Sequence, residues 1–209
     1  MSEEYSKENA KISDTVDVNE SDVVNGLFYV KDIKENTNDI ISQLDKLPWG
    51  RLTNSANSRM VQHYGYKYNY INYRIDEKCD DLPKFLKKFE IILTNICLQL
   101  ELIDKKYTFN QCIVNNYHPN QGISPHTDVK DYGSVIGCFT IGSGATMVFT
   151  LGNETHELYV EPNSLYIMSG DARYVWKHHM NAKMTDMVKG KRIKRGRRVS
   201  ITFRNVPNS

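Results

Sequence analysis

Apolar positions recur at helical spacing in two stretches of the chain. Residues 36–47 carry four of them on one face, which predicts a first helix: Ile40, Ile41, Leu44 and Leu47. Residues 82–102 carry a longer apolar stripe and have Pro83 near the start, where a helix tolerates proline. The stripe of this second predicted helix consists of Phe85, Phe89, Ile92, Leu93, Ile96, Leu98 and Leu100.

Most of the remaining chain consists of short apolar segments separated by Gly, Asn and Pro. A short strand is predicted around 26–30, and the tyrosine-rich segment 59–72 is typical of a strand or hairpin. Further strands are predicted at 109–117, 134–141, 145–151, 155–161, 163–168 and 197–204. Because helices and strands do not alternate, the pattern favours a mainly β fold with flanking helices (α+β), an antiparallel double sheet of jelly-roll type.

The acidic residues are concentrated at the start of the chain. Residues 1–22 contain seven acids and two lysines and few large apolar groups, so we expect a disordered acidic tail followed by one domain, 23–209. The whole chain has a net charge of +2, which leaves the domain distinctly basic. A basic domain suits a polyanionic partner such as a nucleic acid.

The cysteines and the hydropathy exclude several classes of protein. The four cysteines lie far apart without C-x-x-C spacing, which argues against a zinc site and a disulfide scaffold. The chain has no apolar run of about 18 residues and no basic-then-apolar order at its start. We therefore expect a soluble intracellular protein with no membrane partner and no obligate protein partner.

A cluster of positive charge stands out near the C-terminus. Residues 183–198 contain eight lysines and arginines against the single acid Asp186, and two glycines interrupt the segment. We predict a mobile loop here, which could contact a phosphate backbone.

A possible metal site is formed by His126-Thr127-Asp128 and a later histidine. On a strand, residues i and i+2 share a face, so His126 and Asp128 could bind one ion. His178 and His179 compete for the third position, and only one of two neighbours on a strand can reach it. Two imidazoles and one carboxylate form the facial triad of non-heme Fe(II) oxygenases, which leaves positions open for a co-substrate and O₂.

Two late arginines, Arg198 and Arg204, complete this pattern. A guanidinium is an always-charged, planar fork that suits the far carboxylate of a bound diacid. The residues therefore favour an enzyme that uses O₂ and 2-oxoglutarate to oxidise a second substrate.

Four stretches of this sequence resemble the AlkB-like Fe(II)/2-oxoglutarate dioxygenases: N-N-Y (115–117), S-P-H-T-D (124–128), G-D-A-R-Y-V-W-K-H (170–178) and R-V-S-I-T-F-R (198–204). The resemblance covers roughly residues 55–206. It implies a double-stranded β-helix (jelly roll) with its core at about 107–206 and an N-terminal substrate-recognition lid at about 50–75. It also implies Fe(II), 2-oxoglutarate and O₂ as cofactor and co-substrates.

The resemblance assigns roles to individual residues. His126, Asp128 and His178 would bind iron, while His179 stands where the family usually has glycine. The co-substrate would be held by Arg198 and Tyr117 at its distal carboxylate and by Arg204 and Asn115 at its iron-chelating end. Family members often have asparagine two residues after the first arginine, where this chain has Ser200.

The segments 59–68 and 173–178 look most like the branch that hydroxylates modified wobble uridines in tRNA. DNA-repair members place a carboxylate two residues after the iron-binding aspartate, where this chain has Lys130. Tyrosine faces can stack on bases, at about 1–3 kcal/mol per base. The candidate substrate residues are Arg59, Tyr64, Tyr66, Tyr68, Lys130 and Arg173.

Several functions remain compatible with the sequence. The leading hypothesis is oxidation of a nucleic-acid base or its alkyl substituent, with RNA ahead of DNA as the partner. The alternatives are oxidative demethylation of N-alkylated bases and hydroxylation of a protein side chain. A binding module without catalysis is disfavoured because all three iron ligands and both arginines are present.

Overall fold

The computed structural model describes residues 16–53, 55 and 58–207. Three helices accompany the strands: α1 (Ile40–Leu44), α2 (Lys84–Gln99) and α3 (Gly170–Tyr174). The strands, in chain order, are β1 (Val18–Glu20), β2 (Leu27–Val30), β3 (Gly50–Arg51), β4 (Met60–Tyr64), β5 (Tyr66–Asn69), β6 (Arg74–Lys78), β7 (Gln111–Tyr117), β8 (Ile123–His126), β9 (Ile136–Gly142), β10 (Ala145–Leu151), β11 (Glu154–Val160), β12 (Ser164–Met168), β13 (Lys177–Met180), β14 (Thr185–Val188), β15 (Lys191–Lys194) and β16 (Arg198–Arg204).

Two antiparallel sheets face each other. The major sheet has eight strands in the order β1-β2-β12-β9-β16-β7-β4-β3, and the minor sheet has four in the order β11-β10-β13-β8. Two hairpins, β5-β6 and β14-β15, form small sheets of their own. The predicted mainly β, jelly-roll fold is therefore confirmed.

The alternation of residues along β16 explains how the layers pack. Val199, Ile201 and Phe203 join a core cluster with the buried face of α2, on one side of the major sheet. A second cluster fills the space between the two sheets, where Tyr166 of the major sheet and Phe149 of the minor sheet meet. Burying a large apolar side chain contributes about 1.5–3 kcal/mol, so both faces of the major sheet stabilise the fold.

The helices follow the apolar stripes, with differences in length. α2 lies inside the predicted 82–102, whereas α1 covers only five residues of the predicted 36–47. Such a short helix depends on packing, which is supplied by the buried Ile40 and Leu44. Within the described part of the chain, no helix is long and apolar enough to cross a membrane.

The predicted acidic tail ends earlier than expected. Residues 1–15 lie outside the described part of the chain, but β1 pairs with β2 at the edge of the major sheet. Val16 and Val18 pack against the core. The prediction of disorder was therefore wrong for 16–22, because two valines in a polar segment were enough to anchor an edge strand.

The basic segment 183–198 is not the mobile loop that its composition predicted. β14 and β15 form a hairpin whose two-residue turn, Lys189-Gly190, has φ of 48° and 75°. Positive φ at both turn positions matches the twist of a two-stranded hairpin. At the base of the hairpin, buried Arg195 donates to both oxygens of buried Asp186, at 2.6 and 2.7 Å.

The predicted lid at 50–75 divides into two parts. β4 is an integral strand of the major sheet, paired with β7. The β5-β6 hairpin stands apart as a two-stranded sheet and extends to Lys78. Within the described part of the predicted lid, this hairpin is the part that stands apart from the major sheet.

Candidate active site

Three predicted metal-ligand residues meet between the sheets. His126 ends β8, His178 lies opposite it on β13, and Asp128 follows two residues after β8 in a loop. Their ligand atoms all lie within 4.8 Å of one another, and His178 Nε2 is 3.5 Å from Asp128 Oδ2. The sequence placed His126 and Asp128 on one strand, whereas only His126 belongs to it.

The register of β13 separates the two adjacent histidines. His178 pairs with Phe149 of β10, whose buried side chain belongs to the core between the sheets. His179 pairs with the neighbouring Val148, and successive residues on a strand face opposite sides. His178 is therefore the one that joins His126 and Asp128.

The charges around the triad keep it ready to bind a cation. Burial opposes ionisation of Asp128, but the nearby Arg204 and both histidines outweigh it and hold the pKa of that carboxyl well below its usual range. Burial, reinforced by neighbouring His126, lowers the pKa of His178 to about 3. The site thus presents a carboxylate and a neutral imidazole, the forms that bind a metal.

Orphaned polar atoms test whether a metal fits here. Asp128 Oδ2 and His178 Nδ1 are buried and have no hydrogen-bond partner among the described residues. Burying such atoms unpaired costs free energy. The His126 Nδ1 lies 2.8 Å from the carbonyl oxygen of Ser124, a contact that orients the other ring nitrogen. The donor set therefore fits a divalent metal such as Fe(II).

Both predicted co-substrate arginines line the same cavity, at opposite ends of β16. Arg198 donates from Nη2 to Thr140 Oγ1 at 3.0 Å and stacks over the ring of Tyr117, 5.5 Å from its centroid. Arg198 Nε is buried without a partner in the described structure, so a donor remains for an anion. Arg204 Nε donates to Asp128 Oδ1 at 2.7 Å.

Several further residues line this cavity that the sequence analysis had not selected: Cys138, Met147, Tyr166, Met168 and Thr202. Ser200, noted only as a departure from the family pattern, also lines it. For Ser200 and Thr202 the sequence did contain a signal, because every second residue of R-V-S-I-T-F-R is polar. On a strand these residues share one face.

An aromatic group stands beside Arg204 at the triad. Measured between ring centroids, Tyr68 lies 4.9 Å from Tyr70 and 6.3 Å from Tyr132. The His63 ring lies 5.7 Å from that of Tyr70. The Arg204 guanidinium stands 5.1 Å from the centroid of Tyr132. The sequence had selected only Tyr68 of these, because ring contacts across separate segments leave no local pattern.

The same surroundings favour neutral aromatic groups. Burial, with the charges of Arg204 and Lys67, lowers the pKa of His63 to about 4, and burial raises the pKa of Tyr70 to about 12. His63 Nδ1 accepts a hydrogen bond from the backbone amide of Tyr68. At neutral pH the group is therefore uncharged, and its partly exposed rings, His63, Tyr68 and Tyr70, suit a planar ring.

Two of the predicted substrate residues are buried and make their polar contacts within the protein. Tyr64 is buried and donates from its hydroxyl to Gln62 Oε1. Arg173 is 2% exposed and donates to backbone carbonyls within the fold. The local sequence does not show that Tyr64 lies on the buried face of β4 or that Arg173 on α3 is buried.

The other predicted substrate residues remain closer to solvent. Lys130 is exposed, two residues after Asp128, and Tyr66 is half-buried under the ammonium of Lys78. Arg59 donates from Nε to Asn115 Oδ1 at 2.9 Å. Arg59 therefore borders the cavity through Asn115.

Comparisons with known proteins agree with this geometry. A family model described as the 2OG-Fe(II) oxygenase superfamily matches residues 28–204. An uncharacterized protein of Acanthamoeba polyphaga mimivirus is 40% identical over 157 residues, 71% of this chain and 74% of that protein. The tRNA (carboxymethyluridine(34)-5-O)-methyltransferase alkbh8 of Xenopus tropicalis is 32% identical over 189 residues, 80% of this chain but 30% of its own length.

Solved structures agree in fold. The structure of OsALKBH1 superposes with a TM-score of 0.66 at 17% identity, covering 86% of this chain and 96% of that one. A Trichoplax adhaerens prolyl hydroxylase superposes with a TM-score of 0.55 at 11% identity, covering 86% of this chain and 84% of that one. The chain belongs to the 2OG-Fe(II) oxygenase superfamily, as an AlkB-like dioxygenase that uses Fe(II), 2-oxoglutarate and O₂.

Proposed function

We propose that this dioxygenase oxidises a nucleic-acid base or its alkyl substituent, and that a uridine at the tRNA wobble position is its favoured target. The observation that carries the proposal is the aromatic group of His63, Tyr68, Tyr70 and Tyr132, which borders Arg204 and the triad. Uncharged rings beside an oxidising centre suit a flipped or unpaired base.

Within this proposal, His126, Asp128 and His178 hold Fe(II). Arg198 and Tyr117 hold the distal carboxylate of 2-oxoglutarate, while Arg204 and Asn115 face its chelating end. Bound Fe(II), with 2-oxoglutarate and O₂, supplies the oxidising power. The chain's own contribution is to fix the ligands, exclude water from the inter-sheet cavity and present the base.

Two features support RNA as the substrate. The relatives that carry a wobble-uridine name align with 78–80% of this chain in frog and mouse, although the chain spans only about 30% of their length. Five exposed cations of the 183–194 segment have no ion-pair partner among the described residues: Lys183, Lys189, Lys191, Arg192 and Lys194. Exposed cations of this kind suit a phosphate backbone.

Mass analysis of nucleosides tests the proposal directly. The iron-loaded protein is incubated with 2-oxoglutarate and total tRNA, and the His126→Ala protein serves as the control. We expect a hydroxylated uridine side chain with the wild type only. Formaldehyde release from N-methylated DNA or RNA would instead assign oxidative demethylation. Hydroxylated peptides without any nucleic-acid product would assign a protein substrate.

A further inference from the structure

Arg173 occupies an unusual position for a charged residue. It lies on α3, five residues before His178, and is 2% exposed. Burying a guanidinium is costly unless its donors are satisfied. Among the described residues its hydrogen-bond acceptors are backbone carbonyls rather than a carboxylate. Such a placement indicates that the side chain holds a particular backbone conformation.

The carbonyls belong to a single turn, residues 128–133, which begins at a proposed iron ligand. Arg173 Nη1 donates to the Asp128 carbonyl at 2.9 Å and Nη2 to the Val129 carbonyl at 2.6 Å. Nη2 and Nε also donate to the carbonyls of Tyr132 and Gly133, each at 3.3 Å. One planar fork therefore spans both ends of the 128–133 loop.

Both ends of this loop contribute to the site. Asp128 supplies the carboxylate of the triad, and Tyr132 packs its ring under Arg204 and beside Tyr68. Arg204 holds the Asp128 side chain by a hydrogen bond to Oδ1, whereas Arg173 holds the Asp128 backbone by a hydrogen bond to its carbonyl oxygen. Since β8 ends at His126, none of the described strands pairs with the backbone at Asp128.

We infer that Arg173 is a positioning residue: it sets the backbone of the 128–133 loop so that Asp128 reaches the metal and Tyr132 packs against Arg204 and Tyr68. This inference rests on the proposed metal site but not on the nucleic-acid substrate. Partners that orient metal ligands typically change metal affinity or activity by about 10–100-fold when they are replaced. A lysine keeps the charge but cannot span the loop, because it lacks the planar fork.

The test measures Co(II) binding to the metal-free protein by calorimetry and by the visible absorption of bound Co(II). Arg173→Lys should bind Co(II) at least about tenfold more weakly than the wild type. At saturating metal its KM for 2-oxoglutarate should change less than about threefold, because Arg198 is untouched. Arg173→Gln should bind Co(II) more weakly still, because it loses the charge as well as the fork. The loss of affinity in Arg173→Lys then measures the positioning role, and the further loss in Arg173→Gln measures the charge.

Arg195→Lys is the matched control, because Arg195 is also a buried arginine but anchors the β14-β15 hairpin instead. It should lower the melting temperature and leave Co(II) affinity unchanged. Wild-type affinity in Arg173→Lys, or an equal loss in Arg195→Lys, would overturn the inference. A wild-type protein that binds no Co(II) would instead sink the proposed metal site, and the inference with it.

Hydrogen exchange of the wild type covers the case in which neither Arg173 variant folds. Co(II) should slow exchange in the 128–133 loop and also in α3, which contains none of the three ligands. Protection of the loop with no change in α3 would overturn the inference.

Discussion

The guanidinium of Arg204 donates from Nε to Oδ1 of Asp128 at 2.7 Å, and both side chains are buried between the sheets. The other oxygen, Oδ2, accepts no hydrogen bond in the described structure, and His178 Nε2 lies 3.5 Å from it. The carboxylate is therefore divided between two tasks. One oxygen is held by a permanent charge, and the other is left for a cation.

This division predicts the effect of replacing Arg204. Arg204→Lys keeps a positive charge but loses the directed Nε donor, so Asp128 should be less well oriented. We expect Co(II) affinity to fall by about tenfold or more, and the KM for 2-oxoglutarate to rise as well. Calorimetry and succinate production measure the two effects.

Arg197→Lys is the control for that experiment. Arg197 lies seven residues before Arg204, pairs with the exposed Asp45 and does not line the cavity. Equal losses in Arg197→Lys and Arg204→Lys would contradict a specific role for the Asp128 contact.

Arg198 should determine affinity for 2-oxoglutarate without controlling the metal. Its buried Nε lacks a partner among the described residues, and its ring contact with Tyr117 fixes the guanidinium plane. A charge-assisted hydrogen bond contributes about 1.5–3 kcal/mol, so Arg198→Lys should raise the KM for 2-oxoglutarate about tenfold or more. Co(II) affinity should stay at the wild-type value. An unchanged KM would assign the distal carboxylate to another residue.

The two adjacent histidines should behave differently. His178 lies with His126 and Asp128, whereas His179 pairs with Val148 and lies outside that cluster. His178→Ala should abolish metal-dependent succinate production, and His179→Ala should retain most of it. Anaerobic Fe(II) titration of the two variants is the measurement. A greater loss of affinity in His179→Ala would reverse the assignment.

His63 should make stability depend on pH. Burial lowers the pKa of His63 to about 4, against an ordinary value of 6.5 in the unfolded chain. Between these values the unfolded state binds a proton that the folded state does not. The free energy of unfolding should therefore fall as the pH falls from about 6.5 to 4, by at most about 1.4 kcal/mol per pH unit from this group.

Urea unfolding of the metal-free protein across this pH range measures the effect. His63→Gln should give a shallower pH dependence than the wild type. The exposed His118 provides the matched control, and His118→Gln should keep the wild-type slope. Identical slopes in the wild type and His63→Gln would show that His63 is not buried as the structure places it.

The metal and co-substrate residues of this site were predictable because few residue types can perform their chemistry. Imidazoles, a carboxylate and arginines at the observed spacings predicted which side chains meet, and the alternation of β16 predicts which face they share. The choice between His178 and His179 was different. It depended on strand register, which is set by pairing with a distant strand, β10.

The errors have a common physical origin in long-range partners. Arg173 was predicted to contact substrate, yet its hydrogen-bond acceptors are backbone carbonyls that lie 40 or more positions earlier in the chain. The 183–198 segment was predicted to be a mobile loop because two glycines interrupt its run of positive charges. Its order comes from the buried Arg195–Asp186 pair and the Lys189-Gly190 turn, neither of which composition reveals.

The ordered hairpin sharpens the prediction about nucleic-acid binding. Arg195 is engaged with Asp186, so neutralising it would disturb the fold rather than a binding surface. The exposed cations Lys191, Arg192 and Lys194 are the ones to change, each to glutamine. RNA binding by the wild type should fall steeply between about 50 and 200 mM salt.

The triple variant should flatten the slope of log affinity against log salt by about two units, because each single-strand phosphate contact contributes about 0.7. Fluorescence anisotropy with labelled tRNA and duplex DNA measures the slopes. A control changes three exposed lysines outside the hairpin, Lys84, Lys105 and Lys106, to glutamine and removes the same charge. An equal flattening in the control would indicate a general charge effect, and salt-independent binding by the wild type would favour a protein substrate. Affinity for 2-oxoglutarate should be unchanged in both, since Arg198 faces the cavity between the sheets.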